Sequence, residues 1–97
     1  MTEKDHVLAT LRAALPQLRD EWPIARLALF GSVARDDATP SSDLDILVEF
    51  DRPVTLSAFL ALEARLSELA DRRVDLVSRR ALKPFIGARV LEEAVPV

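Results

Sequence analysis

The sequence predicts an α/β (α+β) sandwich, a small three-stranded sheet flanked by helices in the order α-β-α-β-α-β-α. Apolar residues recur at helical spacing over residues 3–14 and 56–69, and short Val-, Ile- and Leu-rich runs of strand length lie between and after them. Turn-forming stretches such as "DATPSS" separate the segments. The 97 residues fit one domain, 1–97, of a size that buries roughly 60–70% of its unfolded surface and sustains a single core.

Val7, Leu8, Leu11 and Leu15 form one stripe of a first helix. "LPQLRDEWP" then restarts a helix, with Pro16 in its first turn where a missing N–H is tolerated, and Pro23 ends it. "IARLALFGS" is apolar on both faces, the pattern of a covered strand, and a short helical turn, "SVARD", follows. In "DLDILVEF", Leu44, Ile46 and Val48 share one face of a strand, so Asp43 and Asp45 share the other. Thr55 is the N-cap of a longer helix whose Leu56, Phe59, Leu60, Leu62, Leu66 and Leu69 face the core. "RRVDLVS" is the third strand, with Asp75 opposite in direction to Val74 and Leu76. The last helix starts at Pro84, with Ile86, Val90 and Leu91 inward, and Gly87 weakens it by about 1 kcal/mol relative to Ala. The terminal "VLEEAVPV" is apolar enough to extend an interface and otherwise reads as the end of that helix.

A content of 49% hydrophobic and 30% charged residues is that of a soluble globule rather than a disordered chain. The absence of cysteine excludes disulfides and thiolate metal sites and suits a reducing cytoplasm. A net charge of -3 and a pI near 5.1 argue against a protein that coats nucleic acid. "MTEKDHVLATLRAAL" is too polar for a secretory signal, and no run approaches the roughly 18 apolar residues of a spanning helix. The expectation is a cytosolic protein with no membrane contact and no direct nucleic-acid binding.

Two carboxylates at i and i+2 of a strand stand about 7 Å apart and point the same way. Such a pair repels itself unless a cation intervenes, and Mg²⁺ is commonly held by one or two carboxylates with phosphates and water completing the octahedron. If the third strand pairs beside "DLDILV", Asp75 converges on Asp43 and Asp45, and three carboxylates can hold two metals about 3.5–4 Å apart for in-line phosphoryl or nucleotidyl transfer. Gly31 and Ser32 close the first strand and open a short helix, where backbone N–H groups favour an anion; Arg35 lies about one turn on. Taken singly, Gly-Ser is an ordinary turn, Asp-x-Asp a solvated strand edge, and Asp75 a surface residue or a partner for Arg72 or Arg73. Only their conjunction points to a site.

"FGSVARDDATPSSDLDILVEF" resembles the G-S-x(10)-D-x-D signature of the DNA polymerase beta-like nucleotidyltransferase superfamily, and "LPQLRDEWPIARLALFGSVAR", "RRVDLVS" and "LKPFIGARVLEEAV" resemble its minimal nucleotidyltransferase (MNT) branch. The resemblance implies a small mixed sheet flanked by helices. It implies that Gly31 and Ser32 hold nucleotide phosphates, that Asp43 and Asp45 bind two Mg²⁺ ions, and that Asp75 completes the catalytic metal site and helps to activate the acceptor hydroxyl. It further implies an ATP-binding, AMP-transferring antitoxin whose acceptor is a tyrosine of a cognate HEPN ribonuclease toxin. An antitoxin that neutralises by binding alone is the competing reading. A nucleotidyltransferase for a small hydroxylated molecule is a third, but such enzymes usually add a helical domain. The chain departs from the family pattern at Asp36, where glycine is frequent and the turn must be made differently, at Asp71 before the third strand, and at Pro96, where an aromatic is frequent. It has no tyrosine, so it cannot modify itself on one.

Arg79, Arg80 and Lys83 follow the third strand, where ligands of α/β sheets sit, and read either as phosphate or toxin contacts or as a solvated loop. His6 reads as exposed, and Trp22 as a core edge or a partner contact.

Overall fold

The computed structural model describes residues 2–35, 42–81 and 84–97, with the backbone alone for 84–86. The expected order holds: α1 (Glu3–Glu21), β1 (Ile24–Phe30), α2 (Gly31–Ala34), β2 (Leu44–Phe50), α3 (Leu56–Ala70), β3 (Val74–Ser78), a 3-10 turn (Arg79–Ala81) and α4 (Pro84–Glu93). A fourth strand, β4 (Val95–Pro96), corrects the expected three. The sheet runs β3-β2-β1-β4, with β2 antiparallel to β1, β1 antiparallel to β4, and β2 parallel to β3. The sheet is therefore mixed.

The expected break in the first helix is absent, and α1 runs through Pro16. Proline there removes one bond, to the Arg12 carbonyl, on the exposed side of the helix. The buried side, Val7, Leu8, Leu11 and Leu18, continues across it. A capping box between Thr2 and Asp5 fixes the start of α1. The chain end is a strand rather than a helix end because two bonds tie it down: Val97 N–H donates to the Leu27 carbonyl (2.9 Å) and the Arg12 guanidinium to the Pro96 carbonyl (2.9 Å). Proline suits such an edge, where it need not donate.

The apolar residues of the strands, Leu27, Leu29, Leu44, Ile46, Val48, Val74 and Leu76, form one core with α1 and α3. The six apolar residues Leu56, Phe59, Leu60, Leu62, Leu66 and Leu69 of α3 were expected to face it, yet Leu62 and Leu66 are fully buried whereas Leu56 and Leu60 are 73% and 50% exposed. Leu91 of α4, expected inward, is also exposed. A straight helix presents only a stripe to a sheet, and these three leucines fall outside that stripe. Trp22 is a core edge, its indole N–H donating to the Ala58 carbonyl (2.9 Å).

The outer edge of the sheet, β3, is closed from α3. Val74 N–H donates to the Ser67 hydroxyl (3.1 Å) and Leu76 N–H to the Glu63 carboxylate (2.9 Å). One helical turn between Glu63 and Ser67 spans nearly the same length as two strand residues, so the two acceptors match alternate donors. Asp71 ends α3 in the left-handed region (φ 52°), which side chains other than glycine adopt at a cost.

Asp71→Gly is expected to raise unfolding free energy by about 0.5–1 kcal/mol, partly offset by the greater freedom of glycine in the unfolded chain, as read by urea titration. Leu62→Ala is expected to cost about 2–5 kcal/mol and Leu60→Gln less than about 0.5 kcal/mol in the same titration.

Candidate active site

The second face of the sheet is built from alternate residues of the same strands. Phe30 on β1 pairs with Asp45 on β2, and Asp45 pairs in turn with Asp75 on β3. Neighbouring strands lie about 4.8 Å apart, so the Asp45 and Asp75 side chains stand side by side on one face. Asp43 directly precedes β2, two residues from Asp45, and the Leu44 N–H bond to the Arg73 carbonyl (2.9 Å) fixes it there.

Gly31 follows Phe30 and turns the chain with φ at +75°. A Cβ at this position would lie 2.2 Å from Asp45 Oδ2, an impossible contact. Glycine is thus required twice, for its backbone angle and because the Asp45 carboxylate fills the space of its side chain. Ser32, half-buried, is the next residue of α2, and Arg35 caps the end of that helix. The Arg35 guanidinium forms an ion pair with Glu93 of α4 (3.2 Å) and still acts on Asp45.

Burial raises the Asp45 pKa from its ordinary value; the Asp75 and Asp43 charges raise it further, and Arg35 opposes them. Among the described residues, no three His, Cys, Asp or Glu side chains form a ready metal-binding cluster.

The structure brings Gly31, Ser32, Arg35, Asp43, Asp45 and Asp75 to one end of the open sheet face. Arg72 and Arg73, considered as partners of Asp75, turn elsewhere. Arg73 lies 3.9 Å from Asp43, and Arg72 pairs with Glu3 and donates to the Ser42 carbonyl (2.7 Å), supporting the entry to β2. Arg79 and Arg80 diverge: Arg79 lines a groove on the open face, and Arg80 a separate hollow beside Phe50 and Phe59. His6 is exposed on α1. Asp36 and Lys83 lie outside the described residues. Sequence reasoning missed Glu93, Glu63 and Ser67, which support the site from α4 and α3. Only the one-turn spacing of Glu63 and Ser67 could have hinted at their role.

The geometry is that of a nucleotidyl-transfer fold, and the nucleotidyltransferase domain family matches residues 11–97. The chain belongs to that family. It is a nucleotidyltransferase, and its fold is the nucleotidyltransferase fold. It is 37% identical over 97 residues to the protein adenylyltransferase MntA of Thermococcus cleftensis, covering 100% of this chain and 98% of that one. A solved minimal nucleotidyltransferase superposes with a TM-score of 0.83 at 39% identity, covering 100% of this chain and 97% of that one. The fold also matches the complex of an MNT antitoxin with the tri-AMPylated HEPN toxin of Shewanella oneidensis, with a TM-score of 0.69 at 24% identity over 93% of this chain and 70% of that one.

Gly31→Ala in this nucleotidyltransferase is expected to cost about 2–4 kcal/mol, from backbone strain plus the clash with Asp45. On an Asp45→Ala background the same change is expected to cost only about 1–2 kcal/mol, the backbone share; a double-mutant cycle by chemical unfolding reads the difference. The folded-state pKa of Asp45 exceeds its unfolded value, so the folded chain binds more protons between the two, and stability falls as pH rises through that window. Asp45→Asn is therefore expected to melt higher than wild type at neutral pH in EDTA, by less than about 1 kcal/mol given solvent screening, with the gap closing as pH falls.

Proposed function

We propose that the chain is a cytosolic, Mg²⁺-dependent protein adenylyltransferase acting as an antitoxin, which transfers AMP from ATP to a tyrosine hydroxyl of a HEPN-type toxin. The observation that carries the proposal is the Asp45 carboxylate, held between Asp75 and the Cβ-less Gly31. The naming of relatives as protein adenylyltransferases and the fold match to an antitoxin bound to its AMPylated toxin support the choice of donor and acceptor. The proposal treats residues 1–97 as one catalytic domain.

The residues fit a hard divalent cation. All three donors are carboxylates; burial first, and then the Asp75 and Asp43 charges, raise the Asp45 pKa, and a cation would relieve the part owed to those charges. Asp43 and Asp45 would hold both Mg²⁺ ions and Asp75 would share one of them. When bound, Mg²⁺ supplies neutralisation of the phosphates and polarisation of the reacting oxygens. Gly31 and Ser32 would bring backbone N–H groups and a hydroxyl to the triphosphate, and Arg35 a charge that Glu93 holds in readiness. The acceptor oxygen forms a bond to the α-phosphorus as the bond to the bridging oxygen breaks. Pyrophosphate departs, and the hydroxyl proton passes to Asp75, which is exposed and able to release it to water. Phosphoryl-type transfer of this kind depends on positioning and electrostatics more than on covalent participation by the protein.

Incubation of the chain and its toxin with labelled ATP and Mg²⁺ is expected to label the toxin. Asp43→Ala/Asp45→Ala is expected to lower that rate by at least about 10²–10³-fold, the usual cost of removing electrostatic stabilisation at a reacting centre. If the double variant neutralises the toxin as well as wild type does, binding alone is the function. Calorimetry is expected to show ATP binding that depends on Mg²⁺ and on Asp43; ATP affinity indifferent to both would refute the metal site.

A further inference from the structure

The open sheet face does not end at the carboxylates. Two residues along each strand from the Asp45–Phe30 pair, Leu47 pairs with Ala28, and two further on Glu49 pairs with Arg26. These residues floor a groove of about 630 Å³. Leu47 is only 5% exposed, yet it stands apart from the main core, on the opposite face. Leu91 walls the groove although it is 45% exposed, which offers an apolar surface to an incoming chain. Its far end is cationic: among the described residues, Arg19, Arg26 and Arg79 line it, against the carboxylate of Glu49. Arg26 approaches Glu49 only at 4.0 Å with its side chain 84% exposed, so little of its charge is spent there. The chain as a whole carries -3, and the carboxylates at the near end are negative, so this cationic patch is a local reversal of sign.

We propose that this groove is the docking track for the acceptor segment of the partner protein, and that it selects an extended, acidic segment. The proposal rests on the adenylyltransferase reading above and adds to it a sequence requirement on the acceptor. From Asp45 to Glu49 is four strand residues, about 13 Å, so an extended chain with its hydroxyl at the carboxylates places a residue about four positions away among the arginines. A carboxylate there meets the positive field of the arginines, and an apolar residue between the two meets Ala28 and Leu91. Basic segments are disfavoured by the arginines that surround Glu49 at that position. The net negative charge of the chain also opposes a polynucleotide in the same groove.

The test uses the full chain and fluorescent synthetic peptides, each with one tyrosine, an apolar residue between, and Asp, Asn or Lys four positions away on either side. Anisotropy is expected to give at least about tenfold tighter binding for an Asp peptide than for its Lys counterpart, and loss of that preference in Arg26→Gln/Arg79→Gln and in Arg26→Glu/Arg79→Glu. Calorimetry with ATP and Mg²⁺ on the same variants is expected to stay within about twofold of wild type, since neither arginine belongs to the nucleotide site. Equal binding of Asp and Lys peptides overturns the inference. So does displacement of the peptide by a short oligouridylate through the same arginines, or a parallel loss of ATP affinity, which would make the groove the nucleotide's seat. Failure of the wild-type chain to bind ATP would refute the adenylyltransferase reading alone, and the peptide preference would still decide the groove.

Discussion

Everything at the active end depends on one close approach, that of the Asp45 carboxylate to the backbone of Gly31. The turn out of β1 must pass over the neighbouring strand, and any side chain on it would collide with the acid. The same contact that places the acid also sets where the chain enters α2, and hence where Ser32 and Arg35 stand. The acidic residue and the glycine are thus one device written at two places in the sequence. Changing either alters the geometry of the other.

That device has an electrostatic cost which the fold meets elsewhere. Three carboxylates face one way because the other way is filled with leucine, isoleucine and valine, and a strand has only two faces. Asp75 lies on the edge strand, where a sheet is least constrained. The bonds from Glu63 and Ser67 hold the two N–H groups on either side of it, so the third carboxylate is fixed by a helix in place of a missing fifth strand. An unpaired edge would let β3 fray and carry Asp75 away from Asp45 under their mutual repulsion. Arg72 serves the same end at the mouth of β2, bonded to Ser42 and Glu3 at once.

The sequence made the strands and the acidic pair legible because period-two alternation is a local property, and "DLDILVEF" carries it on both faces except at Leu47. The partnership of Asp45 with Asp75 needed the pairing of strands β2 and β3, which no local pattern states, so it could only be posed as a condition. Three misreadings share a cause. Pro16 is a helix breaker by local rules but lies on the solvent side of a helix whose buried stripe is intact. Val95 and Pro96 have no alternating run of their own and are fixed by long-range bonds, from the Val97 N–H to the Leu27 carbonyl and from the Arg12 guanidinium to the Pro96 carbonyl. Leu56, Leu60 and Leu91 obey helical periodicity but overrun the width of the sheet they would cover. In each case tertiary context overrode a correct local preference.

A sheet with α1 and α3 packed on one face and the acidic row on the other, where α4 contributes only the rim of a groove, leaves that second face partly uncovered. Larger enzymes close such a face with a further domain that binds the acceptor; here the described residues offer an open groove instead. A protein acceptor resolves this, because the substrate itself brings the missing surface and excludes water from the reacting atoms as it docks. On the proposed function, the division of charge along the face would order the encounter, with the carboxylates at one end taking a cation and phosphates and the arginines at the other an anion from the partner. With these ends separated by only about 13 Å of strand, nucleotide and acceptor would then approach from opposite ends of one surface and meet at Asp45.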